Sequence, residues 1–287
     1  MHRKLVQLLS TLLHNAYIPG FIRGTIFKGP TKQICVPGFN CYSCPGAMGA
    51  CPIGSLQTVA AGVRYQFSLY VFGLLMLFGT IAGRWICGWI CPFGLIQEWL
   101  HKIPTKKLKV SPKLKPLRYL KYVLLVVFVL LLPIVWVNFL GIGSPTYCKY
   151  ICPAGTLTGA VPLLIGNASL RDSLGSLFAL KASIAALVVI GSVMIYRPFC
   201  RWMCPLGAIY ALFNKVSLYR MHIDRHTCTQ CGRCAKVCPM DIDPFKDPNS
   251  AECIRCGICR ESCPQDSIVQ TFGLQGFQKE RTSKASS

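Results

Sequence analysis

The chain has 287 residues, 52% of them hydrophobic and 14% charged, with 18 cysteines and a formal net charge of +21. A soluble domain carries about 25% charged residues, so this composition reads as a membrane protein with metal chemistry. A secreted disulfide scaffold is excluded by length, and nucleic-acid binding by placement, because the basic residues flank apolar runs as the positive-inside pattern requires.

The amino terminus, "MHRKLVQLLSTLLHNAYIPGF", has a basic start and an apolar run but no small-residue cleavage site, so it is expected to stay on the chain. Residues 5–22 are uncharged although His14, Asn15 and Pro19 interrupt them, and residues 65–83 and 122–148 are also uncharged; 173–196 holds only Lys181. About 20 apolar residues cross a bilayer, so three spans and a further N-terminal one are expected. Residues 101–121 hold Lys102, Lys106, Lys107, Lys109, Lys113, Lys115, Arg118 and Lys121 with no acid, which makes this loop cytoplasmic. The start is then inside, 23–64 outside, 141–176 outside and 197–287 inside. Arg23, Lys28, Lys32 and Arg64 sit on the outer side against the rule. Residues 150–170 are too rich in Pro, Gly and Asn for a further span.

The tetrad Cys-Pro-x-Gly recurs at "CPIGSLQ" (Cys51), "CPFGLIQ" (Cys91), "CPAGTLT" (Cys152) and "CPLGAIY" (Cys204). Proline is favoured at the first position of a helix, so each repeat puts a cysteine at the mouth of a short half-helix. Such pieces survive at membrane depth only where protein buries them. Three repeats have a second cysteine four residues earlier, Cys87, Cys148 and Cys200; around Cys51 the chain offers Cys35, Cys41 and Cys44 instead. Two repeats share R-x-x-C-x-W-x-C-P-x-G, beginning at Arg84 and Arg197.

Two thiols from each of two helix mouths make the ligand set of one 4Fe-4S cube, and helix N-termini suit an anionic group. An inner cluster on Cys87, Cys91, Cys200 and Cys204 is expected, with Arg84 and Arg197 as counter-charge. An outer cluster would use Cys44, Cys51, Cys148 and Cys152, leaving Cys35 and Cys41 for a disulfide or another outer role. The rival grouping is Cys35, Cys41, Cys44 and Cys51, with Cys148 and Cys152 apart. Four thiolates also hold zinc. Trp85, Trp89 and Trp202 read as interfacial belt residues; Glu98 is expected to pair with Lys102 at i+4.

The tail reads "CTQCGRCAKVCP" from 228 and "CIRCGICRESCP" from 253. Each is C-x2-C-x2-C-x3-C-P, in which the fourth cysteine ligates the other cluster. Cys228, Cys231, Cys234 and Cys263 are assigned to one cube, and Cys253, Cys256, Cys259 and Cys238 to the second. Gly232 and Gly257 leave room for the backbone there. Arg225, Arg233, Lys236, Arg255 and Arg260 read as solvated surface and counter-charge. No C-x-x-C-H for covalent haem and no G-x-G-x-x-G for a dinucleotide occurs, and of five histidines only His14 lies in a candidate span, so neither haem nor a nucleotide cofactor is expected.

Apolar spans, C-x-x-x-C-P motifs and a two-cluster tail resemble the NapH/NosR-type membrane polyferredoxins, which are similar to MauN and FixG-type proteins. The resemblance covers roughly 65–270. It implies electron transfer at the cytoplasmic membrane, linked to quinol oxidation and delivery to extracytoplasmic reductases or flavoproteins. The motif at 148/152 and "CVPGFNCYSCPGAMGACP" depart from that pattern and point to a dedicated outer electron site. The expected fold is mostly α: polytopic membrane helices with re-entrant half-helices, then an α+β ferredoxin domain. The expected divisions are 1–64, an N-terminal helix and outer Cys-rich segment; 65–215, the membrane region; 216–272, the cytoplasmic ferredoxin domain; and 273–287, a tail. The function read from this is an electron relay between a cytoplasmic donor or acceptor, or the quinone pool, and an extracytoplasmic redox protein, with no nucleic acid involved. The alternative is a FixG-like redox sensor or metal-centre maturation factor.

Overall fold

A computed structural model describes residues 3–63, 68–110, 112–138, 143–167, 170–172 and 174–273. The start of the 65–83 run and residues 274–287 of the expected tail lie outside the described residues. The chain is mostly helical, and the described strands form one two-stranded sheet. It divides into two compact units, Met1–Leu75 with Ile90–Ala208, and Met76–Trp89 with Ile209–Ser287. The Cys-rich segment thus belongs to the same unit as the long apolar helices, while Met76–Trp89 goes with the tail.

In the first unit, the helices Leu114–Val135 and Ser176–Met194 are long and apolar enough to cross a membrane, and Gly155–Gly166 is a shorter apolar helix; Leu69–Ala82, also short and apolar, has residues in both units. The run 122–148 does not stay helical throughout: Trp136 (φ −89°, ψ 82°) leaves helical geometry. Residues 5–22 break into Arg3–His14 and Ile18–Arg23, with Pro19 opening the second helix as a proline can. Arg3–His14 is amphipathic with its polar side inward. Gln7 is buried and its side-chain amide donates to Cys91 O at 3.1 Å, whereas Leu5, Leu9, Leu12 and Leu13 are exposed. The long helices also turn apolar side chains outward, among them Val123, Leu131 and Val135 on one and Leu180, Leu187 and Ile190 on the other.

All four Cys-Pro-x-Gly repeats start a helix with the cysteine immediately before it, three of them as Pro52–Ala61, Pro92–His101 and Pro205–Phe213 and the fourth at Pro153. After Cys152 the helix passes through a widened turn over Gly155–Ala160 before Val161–Gly166. Phe39, Phe93 and Phe199 are all buried and pack together, with ring centroids 4.9 to 5.9 Å apart.

Glu98 does not take Lys102 as partner. Its carboxylate accepts two hydrogen bonds from Arg3 at 2.8 Å each, one from Arg197 at 2.8 Å and one from the Tyr196 hydroxyl. Arg197 is wholly buried, so the chain places its one acid of residues 1–171 where a buried cation requires a counter-charge.

In the second unit, Tyr219–Ile223 pairs antiparallel with Ile268–Phe272, with Tyr219 opposite Phe272 and Ile223 opposite Ile268. Met221, Ile223 and Ile268 point inward against Cys259. Between the strands the two cysteine runs repeat one another's backbone. Left-handed residues fall at Gln230, Gly232 and Asp241, and again at Arg255, Gly257 and Asp266. Gly232 (φ 69°) and Gly257 (φ 84°) each cap the short helix that carries the third cysteine of their run. These conformations favour glycine, a more specific requirement than room for the backbone.

Replacing Glu98 by Ala removes the carboxylate that buried Arg197 and Arg3 share, with an expected loss of roughly 3–5 kcal/mol. Thermal unfolding of Glu98→Ala beside Glu98→Gln checks this, and the Gln variant is expected to keep part of the stability because it still accepts hydrogen bonds.

Candidate metal centres

None of the eighteen cysteines is disulfide-bonded, so Cys35 and Cys41 are not joined. Among the described residues, no three His, Cys, Asp or Glu groups converge as for a single metal ion. The sulfurs instead line cavities. A cube binds each thiolate at a different iron, and a cavity with four sulfurs spread round its wall suits that arrangement.

In the tail, Cys228, Cys231, Cys234 and Cys263 line one cavity of about 170 Å³. Cys238, Cys253, Cys256 and Cys259 line a second. The structure therefore brings together, for each run, three close cysteines and the fourth of the other run. Burial pushes the Cys253 and Cys259 thiols up to about 12, the nearby Cys256 charge adding to it. Cys231 is exposed and is drawn the other way, by the Arg233 backbone N–H. Buried thiols of this kind stay protonated at neutral pH until a cation displaces the proton, so metal binding here releases protons.

The segment Arg84–Trp89, which carries Cys87, packs on the loop that carries Cys253. Arg84 is buried; its guanidinium donates to Ala251 O and the Glu252 carboxylate, both at 2.8 Å. Its backbone N–H donates to Asn214 Oδ1 at 3.1 Å, while Asn214 Nδ2 donates to Ser250 O at 2.6 Å and Cys253 O at 2.9 Å. Trp89 Nε1 donates to Arg255 O at 2.9 Å. Trp85 stacks on Trp89 at 5.5 Å and meets the Tyr219 ring edge-on at 6.1 Å. These two tryptophans thus pack within the unit. Arg255, expected on the solvated surface, is wholly buried; it donates to Ala82 O at 3.1 Å and Asn214 O at 2.7 Å.

In the first unit the motifs pair through two glutamines that sequence reasoning passed over. Gln57 donates to Cys148 Sγ at 3.1 Å and to Ile53 O at 3.3 Å, and its oxygen accepts the Tyr147 backbone N–H at 2.9 Å. Gln97 repeats every contact: Cys200 Sγ at 3.2 Å, Phe93 O at 3.3 Å and the Phe199 N–H at 3.2 Å. Each glutamine lies six residues after its Cys-Pro cysteine, in "CPIGSLQ" and "CPFGLIQ". That shared spacing was the available signal. The motif at 51 is joined in this way to 148/152, and the motif at 91 to 200/204. Cys204 Sγ also accepts the Gly207 N–H at 3.3 Å, as a thiolate at a helix mouth can. Trp202 Nε1, between Cys200 and Cys204 in sequence, is buried with no acceptor among the described residues, a donor that fits an anionic group. Of the expected inner quartet, Cys91, Cys200 and Cys204 belong to the first unit and Cys87 to the second.

Of the expected outer quartet, the structure brings Cys51, Cys148 and Cys152 to one cavity, of about 540 Å³, with Cys41 in the place expected for Cys44. Cys44 lies 3.5 Å from Asn15 Oδ1, and Cys35 Sγ donates to Ser55 Oγ at 3.2 Å.

Comparison with known proteins places these motifs in context. A family profile described as "4Fe-4S binding domain" matches residues 65–111, 123–167 and 179–225, and one described as "4Fe-4S dicluster domain" matches 220–264. The chain is similar to the Methanocaldococcus jannaschii protein MJ0750, at 30% identity over 59% of this chain and 64% of that protein. It is similar to the methylamine utilization ferredoxin-type protein MauN of Methylorubrum extorquens, at 26% identity over 75% of this chain and 70% of MauN. It is also similar to the ferredoxin-type protein NapH of Escherichia coli, at 25% identity over 66% of this chain and 59% of NapH. The match thus covers less than two thirds of several of these relatives. No solved structure matches.

Gly88 tests the packing of the Cys87 segment. A Cβ there would stand 2.3 Å from Ile254 O, so Gly88→Ala is expected to cost about 1–3 kcal/mol as an overpacked contact, read as a lower melting temperature of the purified protein.

Proposed function

The chain belongs to the NapH/MauN-like family of 4Fe-4S ferredoxin-type proteins, and from that premise we propose that it is an integral-membrane electron conduit. It relays electrons between a ferredoxin pair on the cytoplasmic side and a redox protein on the other. When bound, the 4Fe-4S clusters supply one-electron redox sites.

The observation that carries this reading is the packing of Arg84–Trp89 on Ala251–Arg255. It fixes the Cys87 thiol in the same unit as the Cys253 site, through Arg84, Asn214 and Trp89. The cysteines' other duty is to be held ionised in apolar surroundings. Buried arginines, helix mouths and glutamine amides serve that need, each favouring the charged form. Cys91, Cys200 and Cys204 of the first unit are ligands of the inner cluster, with Arg197 having Cys200 and Cys91 among its electrostatic neighbours. Cys228, Cys231, Cys234 and Cys263 hold one tail cluster, and Cys238, Cys253, Cys256 and Cys259 the other.

Membrane insertion is supported by Leu114–Val135 and Ser176–Met194. Their outward apolar residues, with Leu5, Leu9, Leu12 and Leu13, are exposed, as a lipid-facing surface requires. The lysines of 101–121 put that loop and the tail on the cytoplasmic face. The electron partners are a cytoplasmic protein or the quinone pool on one side and an extracytoplasmic reductase or flavoprotein on the other.

Iron and acid-labile sulfide of anaerobically purified protein, with EPR, test the reading. At least about twelve irons per chain are expected, since each cube holds four; about eight would confine the clusters to the tail and overturn the conduit. Gln97→Leu removes the amide donor to Cys200 Sγ. It is expected to lower the reduction potential of one cluster in an EPR-monitored titration and to leave the tail potentials unchanged, because hydrogen bonds to the sulfurs favour the reduced, more negative state.

A further inference from the structure

We propose that Cys41, Cys51, Cys148 and Cys152 hold a further 4Fe-4S cluster, with Lys32 and Lys181 as its counter-charges. The inference rests on the electron-transfer reading and adds its outer site. These four thiols and two lysines line one cavity of the first unit, of about 540 Å³.

Three independent features converge on it. First, Gln57 grips Cys148 and Tyr147 in the geometry with which Gln97 grips Cys200 and Phe199. The outer motifs are therefore built on the plan of the inner ones, and a plan that serves one four-thiolate site serves the second. Second, Cys41 reaches the tetrad of Cys152. A Cβ on Gly155 would meet Cys41 Sγ at 3.8 Å and Lys181 Nζ at 3.7 Å. Cys44 and Cys35 are instead engaged by Asn15 and Ser55.

The third feature is Lys181, the one charged residue of 173–196. It lies in the helix Ser176–Met194, where an ionisable residue is costly and marks a functional site. The nearest acid in sequence is Asp172, outside the helix. Its electrostatic neighbours are the Cys41 and Cys148 sulfurs. Lys181 is half-buried and Lys32 buried; the Lys32 ammonium donates to Ala47 O at 2.7 Å and lies 4.6 Å from the Tyr42 ring centroid. Two cations beside four thiols make sense if the thiols are ionised and bound to a cluster that leaves a net negative charge.

The test is iron content and EPR of anaerobically purified wild type, Cys41→Ser and Cys44→Ser, with the tail signals as the control for folding. The wild type is expected to hold about sixteen irons per chain, Cys41→Ser to lose about four of them, and Cys44→Ser to lose none. About twelve irons in the wild type, or equal iron in the wild type and Cys41→Ser, would overturn the outer site and leave the conduit reading standing; about eight would overturn both. Should Cys41→Ser fail to fold, Lys181→Gln decides: loss of its positive charge is expected to lower the potential of one cluster at unchanged iron content. Unchanged potentials throughout would refute the assignment.

Discussion

Negative charge in a place without water is the constraint that organises this protein. A thiolate is stable in apolar surroundings only if cations or oriented N–H groups face it. The sequence supplies few acids to balance the cations, and the structure uses them sparingly. Arg84 pairs with Glu252 and Arg197 with Glu98. Each of the two R-x-x-C arginines is therefore wholly buried and held by one glutamate. An ion pair of this sort adds little net stability, since both groups lose their hydration. What it gives is a fixed positive group a few residues before a cysteine. Arg197 and Arg255, both wholly buried, have cysteine sulfurs among their electrostatic neighbours.

Repetition is the second organising feature, and it occurs at two scales. In the tail, left-handed backbone positions recur in matching places of the two cysteine runs, so one loop solution is used twice. In the first unit, a glutamine six residues after a Cys-Pro cysteine spans to a second cysteine motif, and this too happens twice. The glutamine is well chosen. Its amide has a donor for sulfur and an acceptor for the neighbouring backbone N–H, and it satisfies both without bringing in charge. A lysine would donate but leave that N–H unpaired; a glutamate would accept but repel the thiolate.

Much of this was legible in the residues. The spacing of the tail runs fixes which cysteines share a cavity, because three close cysteines can wrap only one side of it. The half-helices follow from proline directly after cysteine, and the recurrence of the tetrad names the motifs to be paired. Other features were hidden for physical reasons. Glu98 has Lys102 one turn away, yet local pairing on an exposed face yields a few tenths of a kcal/mol, and a buried Arg197 has the stronger claim. Trp89 and Arg255 look like surface residues in one dimension because nothing local reveals that their segments meet. Cys41 and Cys44 differ by one turn of chain, and the choice between them depends on how the loop folds back on Gly155.

The span count shows the same limit from another side. Hydropathy marks 5–22 as a spanning run, but the chain breaks at Asn15 to Tyr17 and the first helix turns Arg3, Gln7 and Ser10 inward. Average hydropathy cannot distinguish a uniform apolar rod from a helix whose polar stripe faces protein and whose leucines face out. The polar stripe is what the site needs: Gln7 and Ser10 donate to the carbonyls of Cys91 and Ile90. Those carbonyls lie where the chain turns from one motif helix into the next; Cys91 O also accepts the Leu95 N–H at 3.3 Å, so Gln7 is its second donor. The N-terminal helix therefore acts as a polar splint on the Cys91 turn, and the chain breaks after His14 before Ile18–Arg23 begins.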